Sequence, residues 1–170
     1  APMLLAGCAE RWDVDSAAMM PDKGDAFAQA LHKVYVERAK FEKGESDWAD
    51  VDFFTERARL AADGMPPAPQ IAEERDLGGN ADVKMNRDRL IAALATTAPK
   101  DTPEACAKAQ AWFEHWMEQL EEGWQAKDIA DAKDNFDTNM PNCVARTRIS
   151  KRFTIYFDLG KSDLNVEAHK

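Results

Sequence analysis

The sequence predicts an all-α protein: a five-helix body of two antiparallel helical hairpins plus a linking helix, followed by the first strand and helical turn of a truncated α/β domain. Apolar residues recur at helical spacing in five segments, and capping residues, Gly or Pro bound each of them. Only one segment, 152–158, alternates apolar and polar residues as a strand does. The 170 residues, 45% of them hydrophobic, suffice for one ordinary domain.

Composition and charge exclude several classes of protein. There are 22 Lys and Arg against 31 Asp and Glu, and the resulting net charge of −9 argues against nucleic acid as a partner, because phosphate binding needs a positive surface. No apolar run is long enough for a membrane-spanning helix. Three Cys and three His are too few for a disulfide scaffold or an ordinary zinc cluster.

The first hairpin is predicted from two helical stripes joined by a short turn. The first helix is expected over 23–43, begun by Pro21-Asp22 and ended by Gly44. The second is expected from Ser46 or Asp47 to residue 63. A connection of only about three or four residues forces the two helices to run antiparallel. The stripes contain Phe27, Leu31, Val34, Arg38 and Phe41 in the first helix and Trp48, Val51, Phe54, Ala58 and Ala61 in the second.

A crossover and a linking helix follow the first hairpin. The run Met65-Pro66-Pro67-Ala68-Pro69 cannot be helical, because its prolines remove backbone donors and fix φ, so it is expected to cross the surface. The third helix is expected over 81–96 and is broken at 98–100. Its stripe consists of Val83, Arg87, Leu90, Ile91 and Leu94.

The second hairpin consists of the fourth and fifth helices. Asp101 or Thr102 is expected to cap the fourth helix, with Pro103 in its first turn and Glu104 completing a capping box with Asp101. That helix ends near residue 123, and the fifth spans 127–140 before a proline. Their buried positions are predicted to be Cys106, Ala109, Phe113, Trp116 and Leu120, and then Ile129, Ala132, Phe136 and Met140.

The amino-terminal segment resembles a lipidation signal. Leu5-Ala6-Gly7-Cys8 resembles a lipobox, in which small residues admit the signal peptidase and the cysteine receives lipid. The segment is apolar before Cys8 and charged from Glu10 onward, as where a signal peptide ends. We therefore interpret 1–8 as a lipoprotein signal remnant and 9–22 as an amino-terminal linker; the alternative is a chance match of four residues.

The carboxyl terminus resembles the opening of a known domain. In 152–158, Phe153, Ile155 and Phe157 share one face of a strand, and Ser162 is an N-cap for the helical turn that follows. The run from Phe153 to Leu164 resembles the start of OmpA-like domains, which bind peptidoglycan and tether the outer membrane to the wall. In that family the ligand-binding residues lie downstream of this opening, so none is assigned here. Residues 143–151 are the predicted linker and 152–170 the truncated domain.

Two internal segments resemble the same group of proteins. Residues 45–54, with Asp47-Trp48 and Phe53-Phe54, are similar to a region ahead of OmpA-like domains in alphaproteobacterial outer-membrane lipoproteins. Residues 111–122 are similar to their later helical hairpin. The resemblance implies a non-enzymatic lipoprotein on the periplasmic face of the outer membrane, with 23–142 as a spacer or docking domain, lipid on Cys8, and peptidoglycan binding through a downstream domain.

Cys106 and Cys143 are predicted to form a disulfide. In an antiparallel hairpin centred near residue 124, the first turn of the fourth helix faces the chain just after the fifth, and these two positions satisfy that register. The related lipoproteins carry cysteines instead where this chain has His115 and Ala132. Those two positions also face each other in this hairpin, but closer to its turn. The alternative is two separate thiols, with Cys106 buried as a small hydrophobic residue.

No constellation of catalytic or metal-binding residues is evident in the sequence. His115 lacks a second histidine at helical spacing and is interpreted as a polar helix position. Asp47, Asp50 and Asp52 lie at a predicted helix amino terminus, where carboxylates complement the helix dipole without a cation. We expect no catalytic residue, no cofactor and no metal.

The tryptophans suggest a second functional hypothesis. Trp112, Trp116 and Trp124 lie on or just beyond the fourth helix, where they either pack in the core or form an aromatic surface for a protein partner or self-association. The second use would make the protein a periplasmic adaptor. The first two predicted helices have features of a tetratricopeptide repeat, but no second copy follows 34 residues on, so a single hairpin with similar packing is expected rather than a repeat array.

Overall fold

The computed structural model describes residues 11–146 together with 157 and 160. Within these residues the chain is all-helical and has no strand, so the prediction of an all-α body over 23–140 is confirmed. The predicted strand and helical turn of 152–170 lie outside the described residues, except for Phe157 and Gly160. The α-helices are α1 (Val14–Ala18), α2 (Ala26–Glu45), α3 (Trp48–Ala62), α4 (Ala81–Leu94), α5 (Ala98–Asp101), α6 (Pro103–Glu122) and α7 (Ala126–Asn139), with 3₁₀ turns at Ala72–Arg75 and Met140–Asn142.

Two antiparallel hairpins form the body, as predicted. In the first, α2 and α3 pack along each other, with Tyr35 against Phe54. In the second, α6 and α7 do the same, with Phe113 against Phe136. Helix α6 also packs along α2 and contacts α4, so it is the central helix of the bundle.

The core is built from one large ring on each main helix. Tyr35, Phe54, Phe113 and Phe136 are fully buried, and Leu31, Leu90 and Met117 fill the space between them. Burial of each such side chain stabilises the fold by about 1.5–3 kcal/mol relative to leaving it in water. The predicted helical stripes therefore converge on one core. Trp48 and Ile91 are exceptions: Trp48 is 48% exposed and packs edge-on against Trp12, and Ile91 is 36% exposed.

Several helix ends differ from those predicted by the sequence. Helix α2 begins at its N-cap Asp25 and passes through Gly44, because Ser46 takes the left-handed conformation that ends the helix. Asp47 caps α3 as predicted, through the backbone amides of residues 49 and 50. The predicted capping box of Asp101 and Glu104 is wrong. Asp101 belongs to α5, and its carboxylate accepts hydrogen bonds from Thr97 and from the amide of Arg146 instead.

The segment that the sequence predicts as an amino-terminal linker contains a helix packed on the body. Val14 and Ala17 of α1 are buried against the first hairpin. The His32 ring lies between the carbonyl of Ala17 and the carboxylate of Asp22, 2.8 Å from each. From residue 11 onward, the described part of this segment is therefore part of the folded body.

The proline-rich crossover lies partly inside the protein, whereas the sequence predicts a surface path. Pro69 and Gln70 are buried. Since this segment has no helical hydrogen bonds, side chains from three helices must satisfy its backbone groups. Carbonyls of the crossover accept hydrogen bonds from Gln110, Arg57 and Arg87, and the Gln70 amide donates to Glu114.

A disulfide closes the second hairpin, as the hairpin register predicts. Cys106 and Cys143 are bonded across a sequence separation of 37 residues, and their Cα atoms lie 4.5 Å apart. The chain beyond the bond is held again, because the Val144 amide donates to Thr102 Oγ1 at 3.1 Å. The point where the chain leaves the body is thus fixed to the first turn of α6.

We expect the double variant Cys106→Ala/Cys143→Ala to lose about 4 kcal/mol of unfolding free energy, because the disulfide removes the entropy of a loop of this length from the unfolded chain. Urea denaturation of the oxidised protein and of the variant measures the difference. Reductant should lower the stability of the parent protein and leave that of the variant unchanged. Equal denaturation midpoints for the two oxidised proteins would contradict the prediction.

Two glycines let the start of the first hairpin meet its end. A Cβ on Gly24 would lie 2.8 Å from the Cα of Gly64 and 2.5 Å from the Cβ of Ala28. Gly64 itself has a φ of 78°, which L side chains rarely adopt. This close approach allows the Lys23 amide to donate to the carbonyl of Ala62 at 2.8 Å.

Gly24→Ala should therefore destabilise the protein by about 1–3 kcal/mol, since backbone atoms must move to make room for the methyl group. Gly44→Ala is the matched control: it lies inside α2 with nothing within 4 Å of the added Cβ. That variant should gain about 0.5–1 kcal/mol from helix propensity. Thermal unfolding should give shifts of opposite sign, and two shifts of the same sign would refute the packing argument.

Candidate functional site

A group of buried acids surrounds one histidine at the end of the bundle where α2 leads into α3. We call it the His115 cluster: Glu42 from α2, Asp47 and Asp50 from the start of α3, and His115 and Glu118 from α6. Glu42, Asp50, His115 and Glu118 are buried, and Asp47 is half-buried at the edge. Ionisable side chains are rarely buried in such density without a partner, so this is the most unusual site in the described chain.

His115 is the centre of the first half of the cluster. Its Nδ1 lies 3.1 Å from Glu42 Oε1 and 3.2 Å from Glu118 Oε2, and neither contact is aligned as a hydrogen bond. Glu118 follows His115 by three residues, so both side chains project from the same face of α6. Aromatic rings enclose the imidazole, with Phe41, Phe54 and Trp112 at centroid distances of 5.0, 6.5 and 5.5 Å.

Glu118 also belongs to the second half of the cluster. Carboxylate oxygens of Asp47, Asp50 and Glu118 all lie within 4.8 Å of one another, as do the ligand atoms of Glu42, His115 and Glu118. Gln119 orients Glu118 by donating from Nε2 to Glu118 Oε2 at 2.8 Å. The two halves thus share one oriented carboxylate.

Arg75 provides the main positive charge at the outer side of the cluster. Its guanidinium pairs with Asp50 and, at 2.6 Å, with the half-exposed Glu121. A surface depression of about 400 Å³ lies here; its lining includes Asp47, Asp50, Arg75, Glu121 and Glu122. The outer acids of the cluster therefore face an acidic depression, whereas Glu42, His115 and Glu118 are buried behind it.

The electrostatics of the cluster favour the protonated forms of its acids and of His115. Burial raises the pKa of Glu42 from 4.5 to about 7, with the Glu118 charge adding to the effect, and burial also raises the pKa of Asp50. Burial alone would lower the pKa of His115, but the carboxylates of Glu118 and Glu42 raise it overall. The pKa values of the acids rise because the acids are buried, and that of His115 rises because carboxylates surround it.

The sequence pattern identifies only part of this cluster. It treats His115 as an ordinary polar helix position, yet the ring is only 3% exposed. Asp47 is the helix cap that was predicted, but Asp50 turns inward to Arg75. Glu42 gives no signal, because a charged residue near the end of a helix is typical of a solvated face. The available clue is the three-residue spacing of His115 and Glu118 within an otherwise apolar stripe.

A second buried ion pair lies closer to the middle of α6. Glu114 is fully buried, and its Oε1 lies 3.3 Å from Arg57 and accepts from the Gln70 amide at 3.0 Å. Burial raises the pKa of Glu114 and raises that of the neighbouring Tyr35 well above its usual value. Because these groups bind the crossover to the core, we assign them a structural role.

The three tryptophans of the predicted partner surface do not share one exposed face. Trp116 is 4% exposed, stacks on Phe136 and packs against the Lys133 amine. Trp112 is half-buried, and the Arg38 guanidinium lies over its ring, 4.0 Å from the ring centroid. Trp124 alone of the three is well exposed, at 74%. Helical spacing placed Trp112 and Trp116 on one stripe, and that stripe faces the other helices.

The predicted lipidation site, Cys8, lies outside the described residues. Among the residues that the structure describes, no helix combines the length and the apolar character that crossing a bilayer requires. The disulfide cysteines Cys106 and Cys143 are the predicted site residues that the structure brings together.

In chelator-containing buffer, the free energy of unfolding should fall between pH 5 and pH 8 through Glu42. Because its folded-state pKa is raised above 4.5, the stabilisation is complete below pH 4.5 and is lost as the pH rises through about 7. The shift corresponds to about 3 kcal/mol at most. Glu42→Gln should make this decline smaller and be more stable than the parent at pH 8, while the exposed Glu45→Gln should keep the full decline. A part of the decline should remain in Glu42→Gln, because Glu118 still raises the pKa of His115. Urea denaturation across this pH range measures it, and parallel profiles for parent and Glu42→Gln would refute it.

Known proteins offer no direct guide to this chain. No protein-family model, curated protein or solved structure matches it. The resemblance to OmpA-family lipoproteins therefore remains a prediction from sequence motifs alone.

Proposed function

We propose that the protein is a non-enzymatic outer-membrane lipoprotein whose helical body is a spacer between a lipid anchor on Cys8 and a downstream peptidoglycan-binding domain. The observation that carries this proposal is the path of the chain through the body. The described chain enters the bundle at one end and leaves it at the other, with the exit fixed by a disulfide.

The direction of the central helices establishes this path. Helix α6 runs parallel to α2, because Tyr35 meets Gln110 while Glu42 meets His115 further along both helices. The chain enters beside the start of α3, where Trp12 Nε1 donates to the carbonyl of Trp48 at 3.0 Å. That point adjoins the carboxyl-terminal half of α6, since Asp47 approaches Glu118.

The exit lies at the opposite end of α6. Cys143 is bonded to Cys106, twelve residues before Glu118, and twelve residues of α-helix rise about 18 Å. A body that separates its two chain ends suits a spacer between a membrane and a second attachment point. A body whose ends lie side by side would suit an inserted or peripheral domain instead.

The disulfide also fits the proposed compartment. Disulfides persist in oxidising environments such as the periplasm and are rare in reducing ones. Cys106 and Cys143 are almost fully buried and bonded to each other, which leaves Cys8 as the remaining cysteine for a lipid.

The lipid anchor is tested with the complete gene product expressed in a Gram-negative host and labelled with radioactive palmitate. We expect label on the parent protein and its recovery in the outer-membrane fraction. Cys8→Ser should lose both, because the thiol is the site of attachment, whereas Cys106→Ala/Cys143→Ala should keep the label. Labelling of Cys8→Ser at the parent level would refute the anchor.

The wall attachment is tested separately by co-sedimentation with purified peptidoglycan. The complete gene product should sediment with the sacculi, and the fragment 1–151 should stay in the supernatant. Equal sedimentation of the two proteins would indicate that the helical body itself binds peptidoglycan, which would contradict its role as a spacer.

A further inference from the structure

We propose that Glu42, His115 and Glu118 form a binding site for one divalent transition-metal ion, with Zn²⁺ as the ion that suits the ligands best. This site is independent of the lipid anchor and of wall attachment. It departs from the sequence-based expectation of no metal, which considered His115 without the carboxylates that the fold brings to it.

The spacing of the ligand atoms suits a metal ion. His115 Nδ1 lies 3.1 Å from Glu42 Oε1 and 3.2 Å from Glu118 Oε2. Ligands bound tetrahedrally to Zn²⁺ at about 2.0–2.1 Å are separated by about 3.3 Å, so these contacts match the edges of such a site. One imidazole and two carboxylates leave the fourth position for a water molecule.

The hydrogen-bonding state of the cluster is the second, independent observation. Glu42 Oε1, His115 Nδ1 and Glu118 Oε1 are buried, and none has a hydrogen-bond partner in the described part of the chain. Other buried atoms of the described chain also lack hydrogen-bond partners, among them Glu114 Oε2 and Gln110 Oε1, but only here do three such atoms lie on side chains whose ligand atoms are within 4.8 Å of one another. Glu118 would bind through Oε1, because its Oε2 already accepts from Gln119. A cation bound between them would satisfy the imidazole nitrogen and both carboxylates together.

The ion pairs of Glu42 and Glu118 in the described chain are with the imidazole of His115, and neither carboxylate is paired with an arginine or a lysine. Arg75 is paired with Asp50 and Glu121, and the Arg38 guanidinium lies over the Trp112 ring. Further carboxylates adjoin the site, so the cluster carries more negative than positive charge. A divalent ion would neutralise this excess in a region where uncompensated charge is costly.

The outer shell has the features of a metal site. Gln119 donates to Glu118 and orients it, as second-shell partners orient metal ligands. The aromatic rings around His115 exclude water from its sides. The acidic depression lined by Asp47 and Asp50 lies on the solvent side of Glu118, where its carboxylates attract cations.

The ligand set identifies the class of ion. Imidazole nitrogen suits zinc and its transition-metal neighbours, whereas Mg²⁺ and Ca²⁺ prefer shells made of oxygen alone. Two carboxylates beside one imidazole are harder ligands than a cysteine site offers, which disfavours Cu⁺. Zn²⁺ meets both conditions, and Co²⁺ is a suitable spectroscopic substitute for it.

The test uses the complete 170-residue chain, stripped with chelator and titrated with Zn²⁺ by calorimetry at pH 7.5. We expect one equivalent to bind and the melting temperature to rise. His115→Gln and Glu118→Gln should each weaken binding at least tenfold and abolish the thermal shift. Glu104→Gln, which alters an exposed acid at the other end of α6, should bind as the parent does.

Two further measurements identify the ligands and control for folding. Co²⁺ should give the visible absorption of a low-coordinate nitrogen- and oxygen-ligated ion in the parent and lose it in His115→Gln. Far-UV circular dichroism should show the same helix content in all variants. Absence of Zn²⁺ binding to the folded parent, or parent-like binding by folded His115→Gln and Glu118→Gln, would overturn the proposal. Binding lost in Asp47→Asn but retained in His115→Gln would also overturn it, since the ion would then lie at the surface.

Discussion

The fold depends on partners for the charged and polar groups that α6 carries into the core. A helix with Gln110, Glu114 and Glu118 on inward-facing positions cannot be buried unless neighbouring elements supply donors or cations. Those partners come from different parts of the chain: Tyr35 and the crossover meet Gln110, and Arg57 meets Glu114. Each pairing fixes the rotation of α6 about its axis and its position along that axis relative to its neighbours. Apolar packing alone would tolerate several arrangements, whereas these polar contacts select one.

The same requirement divides α6 into two regions with different outcomes. In the middle of the helix, Glu114 Oε1 receives a guanidinium and a backbone amide and so holds the crossover, while Glu114 Oε2 has no hydrogen-bond partner in the described part of the chain. The next residue, His115, and Glu118 one turn of helix later both face Glu42. The two regions therefore differ in the charges that surround them. Glu114 has an arginine as its partner, whereas Glu42 and Glu118 have one imidazole between them, and this second region is the proposed ligand site.

The sequence predicts the main helices and the disulfide, because both follow from short-range regularities. A stripe such as Phe27, Leu31 and Val34 needs only local spacing, and the bond of Cys106 to Cys143 needs only the register of one hairpin. The His115 cluster depends on α6 meeting α2, more than 70 residues away, and nothing local marks Glu42 as buried. Exposure of individual tryptophans also depends on which helices flank a stripe, a property of the whole bundle. Long-range pairing of charges is therefore the part that spacing rules cannot supply.

The disulfide beside the chain exit has a mechanical consequence. Tension applied to the chain beyond Cys143 passes through a covalent bond into the first turn of α6 and so bypasses α7. Without that bond, the load would peel α7 from the bundle one turn at a time, which is the weakest mode of resistance for a helical hairpin. With it, the force acts along the axis of the central helix and is shared by every contact that α6 makes with α2 and α4. With this cross-link, a pulling force must shear α6 past its neighbouring helices to unfold the bundle. The fully extended chain is also shorter, because the bond spans a sequence separation of 37 residues that cannot be pulled out.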